Sequence, residues 1–116
     1  MTPEAKVKKK VVEQLKSLRA YYFFPATGGY GKSGVPDIVG CYEGVFFGIE
    51  CKAGKNQPTA LQERNLIEIS KAGGVAVVIN EDNVHMVTEK IKGYCEEVHK
   101  NGRTLLAYRG MMPKKL

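Results

Sequence analysis

The sequence predicts an α/β or α+β chain in which helices pack against a mixed sheet. Three observations predict it. An apolar stripe at helical spacing opens the chain. Two runs of strand character then meet at Glu43-Gly44. A helical stretch stopped by Gly73-Gly74 leads into the unbroken apolar run Val75 to Ile79. At 116 residues the chain suits one domain, 1–116, with a single core.

The first helix starts at Thr2-Pro3-Glu4, with Thr as N-cap, Pro at the first helical position and Glu in the first turn. Val7, Val11, Leu15 and Leu18 form its buried stripe, and Glu13 falls on the opposite side. Tyr21 to Phe24 reads as a short strand closed by Pro25. Ala26 to Val35 carries four glycines and reads as a loop. It lacks the GxxxxGK[ST] spacing of a P-loop.

Pro36 to Tyr42 and Val45 to Lys52 are strands around the Glu43-Gly44 turn. Ala53 to Thr59 is a polar loop, and Pro58 suits the start of a helix. Leu61, Leu66, Ile69 and Ala72 supply that helix's apolar side. Val75 to Ile79 is a buried strand. Asp82 is a candidate cap for a helix from Asn83 to Asn101, with a short strand over Val84 to Val87 as the alternative at its start. Gly102 breaks this helix, Thr104 to Tyr108 is a candidate last strand, and Met112 to Leu116 is a polar tail.

Composition bounds the function. The 43% hydrophobic and 26% charged fractions are those of an ordinary globular protein. No apolar run nears the ~20 residues of a membrane span. The N-terminus has no signal-peptide stretch, so a cytoplasmic location is expected. Cys41, Cys51 and Cys95 share no metal-type spacing and are expected as reduced thiols. His85 and His99 stand alone, without ligand spacing. The net charge of +6 is compatible with a polyanionic partner.

The hairpin carries the chemistry. A two-residue turn at Glu43-Gly44 makes facing residue numbers sum to 87, so Val39 faces Gly48 and Asp37 faces Glu50. Facing Cβ atoms lie about 4.5–5.5 Å apart. Alternation adds Lys52 to the face of Glu50 and turns Phe47, Ile49 and Cys51 to the other face. Two carboxylates this close need a proton or a cation between them. Carboxylate oxygens suit Mg²⁺ or Mn²⁺. Such an ion would polarise a phosphoryl oxygen and acidify a bound water, with Lys52 orienting that water or stabilising phosphate charge. An exposed Glu50–Lys52 pair alone would be unremarkable, but Asp37 in register makes a simple pair worse. Glu4 lies on or beside the first helix's stripe, and Gln62 on the inward face of the second helix, where an amide needs partners.

Glu4, Gly34-Val35-Pro36-Asp37, Glu50-Cys51-Lys52 and Leu61-Gln62 before Gly73-Gly74 resemble, in this order, the PD-(D/E)xK nuclease superfamily. The match is closest to its VRR-Nuc (virus-type replication-repair nuclease) branch in the stand-alone, phage-like form. It spans about residues 2–88, leaving 89–116 as a C-terminal extension. The resemblance implies a restriction-endonuclease-like core, a central mixed β-sheet flanked by helices, similar to Holliday-junction resolvases. It implies that Asp37, Glu50 and the Cys51 backbone carbonyl ligate the metal and that Lys52 is the catalytic lysine. Glu4 (directly or through water) and Gln62 would support them. Ser33 and Lys32 are implied as DNA contacts, and the basic residues Lys6, Lys8, Lys9, Lys10, Lys55 and Arg64 become candidate phosphate contacts. The function implied is a metal-dependent, structure-selective endonuclease, foremost a homodimer resolving four-way DNA junctions. A flap, nicking or duplex endonuclease is the alternative within nucleases. A non-catalytic nucleic-acid-binding module is the alternative outside them.

Overall fold

The computed structural model describes residues 1–26 and 33–101. Lys32, most of the glycine-bearing loop, the break at Gly102, the strand expected over Thr104 to Tyr108 and the polar tail lie outside the described residues. The chain forms a mixed four-stranded sheet with helices on both faces. The order is α1 (Pro3–Leu18), β1 (Tyr21–Phe23), β2 (Ile38–Tyr42), β3 (Val45–Cys51), α2 (Ala60–Lys71), β4 (Val75–Ile79), a 3₁₀ turn (Val84–Met86) and α3 (Val87–Asn101).

Sheet order follows chain order. β1, β2 and β3 run antiparallel in turn, and β4 joins β3 in parallel after the α2 crossover. The β2–β3 register is the expected one, with Tyr42 facing Val45, Val39 facing Gly48 and Ile38 facing Ile49. Glu43 and Gly44 have φ of 50° and 81°, a pair of left-handed residues whose twist matches that of the strands they join. A His99 ring nitrogen lies 2.7 Å from the Glu43 carbonyl oxygen and ties the end of α3 to this turn.

One face of the sheet is the main core. Ile38, Phe47, Ile49, Cys51, Val75, Val77 and Ile79 pack there against Val7, Val11 and Leu15 of α1 and Val87, Ile91 and Cys95 of α3. Gln14 joins the two helices: its Nε2 donates to the Val84 carbonyl, and its Oε1 accepts from the Thr88 N–H at 3.0 Å and hydroxyl at 3.2 Å. That side-chain oxygen serves an N–H that the first turn of α3 leaves unpaired.

The other face is covered by α2 over β3 and β4, where Leu66 packs on Ala76 and Val78, with Ile69 beside them. Three expectations change here. Leu61 is 45% exposed, and Ala72 is the exposed C-cap of α2 rather than part of its buried side. The buried polar position of this helix is Asn65. The segment after β4 is not a strand: Asn83 accepts from the Asn80 N–H at 2.8 Å and donates to the Val78 carbonyl at 3.1 Å. Those bonds curl the chain into the 3₁₀ turn, and α3 starts only at Val87. Among the described residues no helix is long and apolar enough to cross a membrane.

Candidate metal centre

Strand pairing stops at Ile38–Ile49, one residue short of the expected Asp37–Glu50 pair, yet the two carboxyls come close enough at the end of β3 to act on each other. Pro36 and Gly48 make it possible. A Cβ on Gly48 would lie 3.0 Å from Pro36 Cγ and 2.7 Å from Ile69 Cδ1. With hydrogen there instead, Pro36 and Ile69 of α2 both settle onto this face of the sheet. Asp37 follows directly, and its Oδ2 accepts the Cys51 N–H at 2.9 Å. The strand geometry explains that bond. Lys52 donates its N–H to the Ile79 carbonyl at 2.9 Å, so Cys51, one residue back, turns its N–H and its carbonyl toward the β2 edge. The Cys51 carbonyl therefore projects to the same edge as Asp37.

Glu50 is the unusual residue. Its side chain is 2% exposed, and Oε2 lies 3.2 Å from the Lys52 Nζ. Oε1 is buried and accepts no hydrogen bond. Burial, and then the charge of Asp37, push its carboxyl up to about 7 against the partial offset from Lys52. The row thus joins two carboxylates to one ammonium, with Glu50 Oε1 buried and Asp37 close enough to share a proton with Glu50. A buried unpaired acceptor is uncommon and costs about 1–3 kcal/mol.

A hard divalent cation fits this arrangement. Two carboxylates and a carbonyl are oxygen donors of the right kind, and Mg²⁺ in particular binds through one or two carboxylates while keeping several waters. Among the described residues no cluster of three or more His, Cys, Asp or Glu side chains could hold a metal. Two acids, a carbonyl and water would have to complete the shell. A cysteine nucleophile does not fit, because burial and the flanking Asp37 and Glu50 push the Cys51 thiol far up, away from thiolate.

The supporting residues divide. Glu4 is exposed in the first turn of α1, close enough for its charge to act on the Cys51 thiol, and it does not join Asp37 and Glu50 in a three-ligand cluster. Gln62 is half-buried and sits in a capping box: its Oε1 accepts the Thr59 N–H at 2.9 Å while its own N–H donates to Thr59 Oγ1 at 3.2 Å. Its carbonyl oxygen is thus engaged at the helix start rather than at the carboxylates. Ser33 is exposed, and its carbonyl accepts from Asn65 Nδ2 at 3.1 Å.

Asn65 is a residue to which sequence reasoning gave no role. Only 5% exposed, it also donates to the Leu61 carbonyl at 2.9 Å, so it fastens α2 to the segment leading into Asp37. A polar residue inside the α2 stripe was the available signal. Glu81 is a second. Both its oxygens accept the Gly54 N–H, at 2.9 and 3.1 Å, which orders the loop carrying Lys55. Hydrogen bonds from its own N–H and that of Gly54 hold the Glu81 carboxyl below its usual range. Lys6, Lys9, Lys10, Lys55 and Arg64 are exposed, and Lys8 holds its Nζ 4.4 Å from the centre of the Phe24 ring.

No protein-family model matches this sequence, and no curated protein matches it.

Proposed function

We infer that this chain is a divalent-metal-dependent endodeoxyribonuclease with a restriction-endonuclease-like core of the VRR-Nuc kind, acting on branched DNA. The observation that carries the reading is Glu50 Oε1, a buried carboxylate oxygen without a donor in a row that already holds Asp37 and Lys52. A buried carboxylate beside a second carboxylate, with one ammonium between them, is an arrangement that a bound cation would relieve.

Asp37, Glu50 and the Cys51 carbonyl would hold Mg²⁺ or Mn²⁺, which supplies Lewis-acid polarisation of the phosphate and a more acidic water. The chain's own residues do the rest. The Cys51 N–H fixes the Asp37 carboxylate, so it need not reorganise when DNA arrives. Lys52, mostly buried, holds its Nζ 3.2 Å from Glu50 Oε2, beside the place where negative charge would gather on the phosphate. Glu4 would support the site directly or through water, and the exposed lysines would meet neighbouring phosphates. A two-fold homodimer would present two such rows for paired cuts across a four-way junction.

The test is cleavage of labelled four-way junction, flap, nicked and linear duplex DNA with Mg²⁺, Mn²⁺ or EDTA, beside Asp37→Ala. Symmetric junction cuts that EDTA abolishes, and that Asp37→Ala lowers at least ~1,000-fold with folding retained, are expected. Cutting of flaps or linear duplex instead would keep the metal chemistry and replace the substrate. Full activity in Asp37→Ala would refute the mechanism, and salt-sensitive DNA binding without any turnover would leave a binding module.

A further inference from the structure

The face that carries the carboxylate row continues past it as bare aromatic surface. The strand registers place it. Glu50 and Asp37 meet just past the last paired row, and two residues back along β3 Gly48 faces Val39, which in turn faces Phe23. Two residues further, Phe46 faces Cys41, which faces Tyr21. Successive rows lie about 7 Å apart. Among the described residues α2 makes its main contacts on this face with β4 and β3, and the β1 rings Tyr21 and Phe23 stay exposed. Tyr21 is 71% exposed, Phe23 49% and Phe46 46%, and the Tyr21 and Phe23 ring centroids are 6.2 Å apart. Beside Phe46 a cleft of about 280 Å³ opens toward α2, lined also by Asn65, Glu68 and Ile69.

We propose that this shelf of Tyr21, Phe23 and Phe46 is a stacking platform for unpaired bases of the DNA strand whose phosphate lies at Asp37 and Glu50. The proposal rests on the reading of that row as a phosphodiester site, and it names the substrate feature the row alone does not select: bases freed from the duplex. Three arguments favour this occupant. The shelf is aromatic rather than aliphatic, and every base has a π-face to offer it. It lies one and two rows from the carboxylates on the same face, within reach of nucleotides flanking a held phosphate. The charge matches as well, since a chain of net charge +6 attracts a polyanion. The area points the same way. The three rings expose roughly 250–400 Å² between them, about half or less of the ~800 Å² per partner of a standard protein interface.

Binding measured in EDTA tests this apart from any cleavage. The probes are a short oligothymidine and a blunt duplex of equal length, each end-labelled for anisotropy. Tyr21→Ala combined with Phe23→Ala is expected to weaken the single strand about tenfold or more and to leave the duplex within about twofold. The chain contains no tryptophan, so Phe23→Trp supplies a lone reporter. Its emission is expected to be quenched by the oligothymidine and not by the duplex. Equal losses on both probes, no loss on either, or an unquenched Trp would overturn the platform. A fall from dimer to monomer in the double variant, read by light scattering, would also overturn it, because the shelf would then be a self-association surface. The two readings fail separately. Quenching that persists in a chain with no nuclease activity removes the metal mechanism alone. Metal-dependent cutting without quenching removes the shelf alone.

Discussion

The two faces of the sheet are made from the same four strands and obey opposite rules. On the α1 and α3 side every inward position of β3 and β4 is apolar and fully buried, from Phe47, Ile49 and Cys51 to Val75, Val77 and Ile79. On the α2 side the same strands carry Gly48, Glu50, Ala76 and Val78, and among the described residues α2 packs there mainly over β4 and β3. The first face maximises dry contact. The second leaves a buried charge row at one end and exposed rings at the other. Stability therefore resides mainly on one side, and the features that burial alone would select against collect on the other.

The sharpest way to break that comparison is to truncate neighbouring phenylalanines that point to opposite faces. Phe47 is fully buried, whereas Phe46 is 46% exposed. Phe47→Ala should cost about 3–5 kcal/mol, through lost burial plus the cavity left behind. Phe46→Ala should stay within about 1 kcal/mol. Urea denaturation of both variants measures the difference, and comparable midpoints would mean that the faces share the load.

A smaller effect should come from removing the buried charge at the end of the second face. The Glu50 carboxyl is raised from 4.5 to about 7. Between those values the folded chain keeps a proton that the unfolded chain has released. Stability of the metal-free protein should therefore fall as pH rises through that window, by at most about 3 kcal/mol, with the loss complete above pH ~7. Glu50→Gln should abolish this slope and leave the metal-free protein more stable at pH 8 than the parent. Adding Mn²⁺ should stabilise the parent at pH 8 and not the variant. Thermal melts with and without the ion decide it. A parent whose stability rises from pH 5 to 8 in EDTA would contradict the assignment of Glu50 as a strained acid.

How much of this was legible in the sequence also differs between the faces. The hairpin register could be computed from Glu43-Gly44, because a two-residue turn fixes every facing pair and alternation fixes every face. That arithmetic brought Asp37, Glu50 and Lys52 together before any coordinates. The α1 stripe and its Thr2 cap were equally plain, since they rest on local spacing. What could not be read depends on contacts between distant segments. The bond from the Cys51 N–H to Asp37 needs the strand edge to be known, and the orphaned Glu50 oxygen needs its burial to be known. Tyr21 to Phe24 gave a strand but no face, because four consecutive aromatics carry no period. The stretch after Asn80 was misread at its start, since the Asn83 back-bonds to Asn80 and Val78 leave no periodic trace. In α2 the apolar positions suggested a stripe through Leu61 and Ala72, yet the helix touches the sheet mainly through Leu66 and Ile69, with Asn65 beside them.

Gln62 offers the finest cut between the two rules, because structure and chemistry compete for one side chain. Its amide oxygen closes the capping box on the Thr59 N–H, a role that glutamate fills as well as glutamine. Its position on the α2 side is also where the resemblance to nucleases puts a supporting active-site amide. Gln62→Glu should keep the box and hold stability within about 0.5 kcal/mol, and Gln62→Ala should lose about 1 kcal/mol. Activity sorts the roles. If Gln62 only caps the helix, Gln62→Glu cuts DNA like the parent, and Gln62→Ala loses activity only in step with its melting temperature. If its amide also serves the phosphate, Gln62→Glu loses kcat at unchanged stability, because a third carboxylate near Asp37 and Glu50 repels the substrate where the amide would have donated.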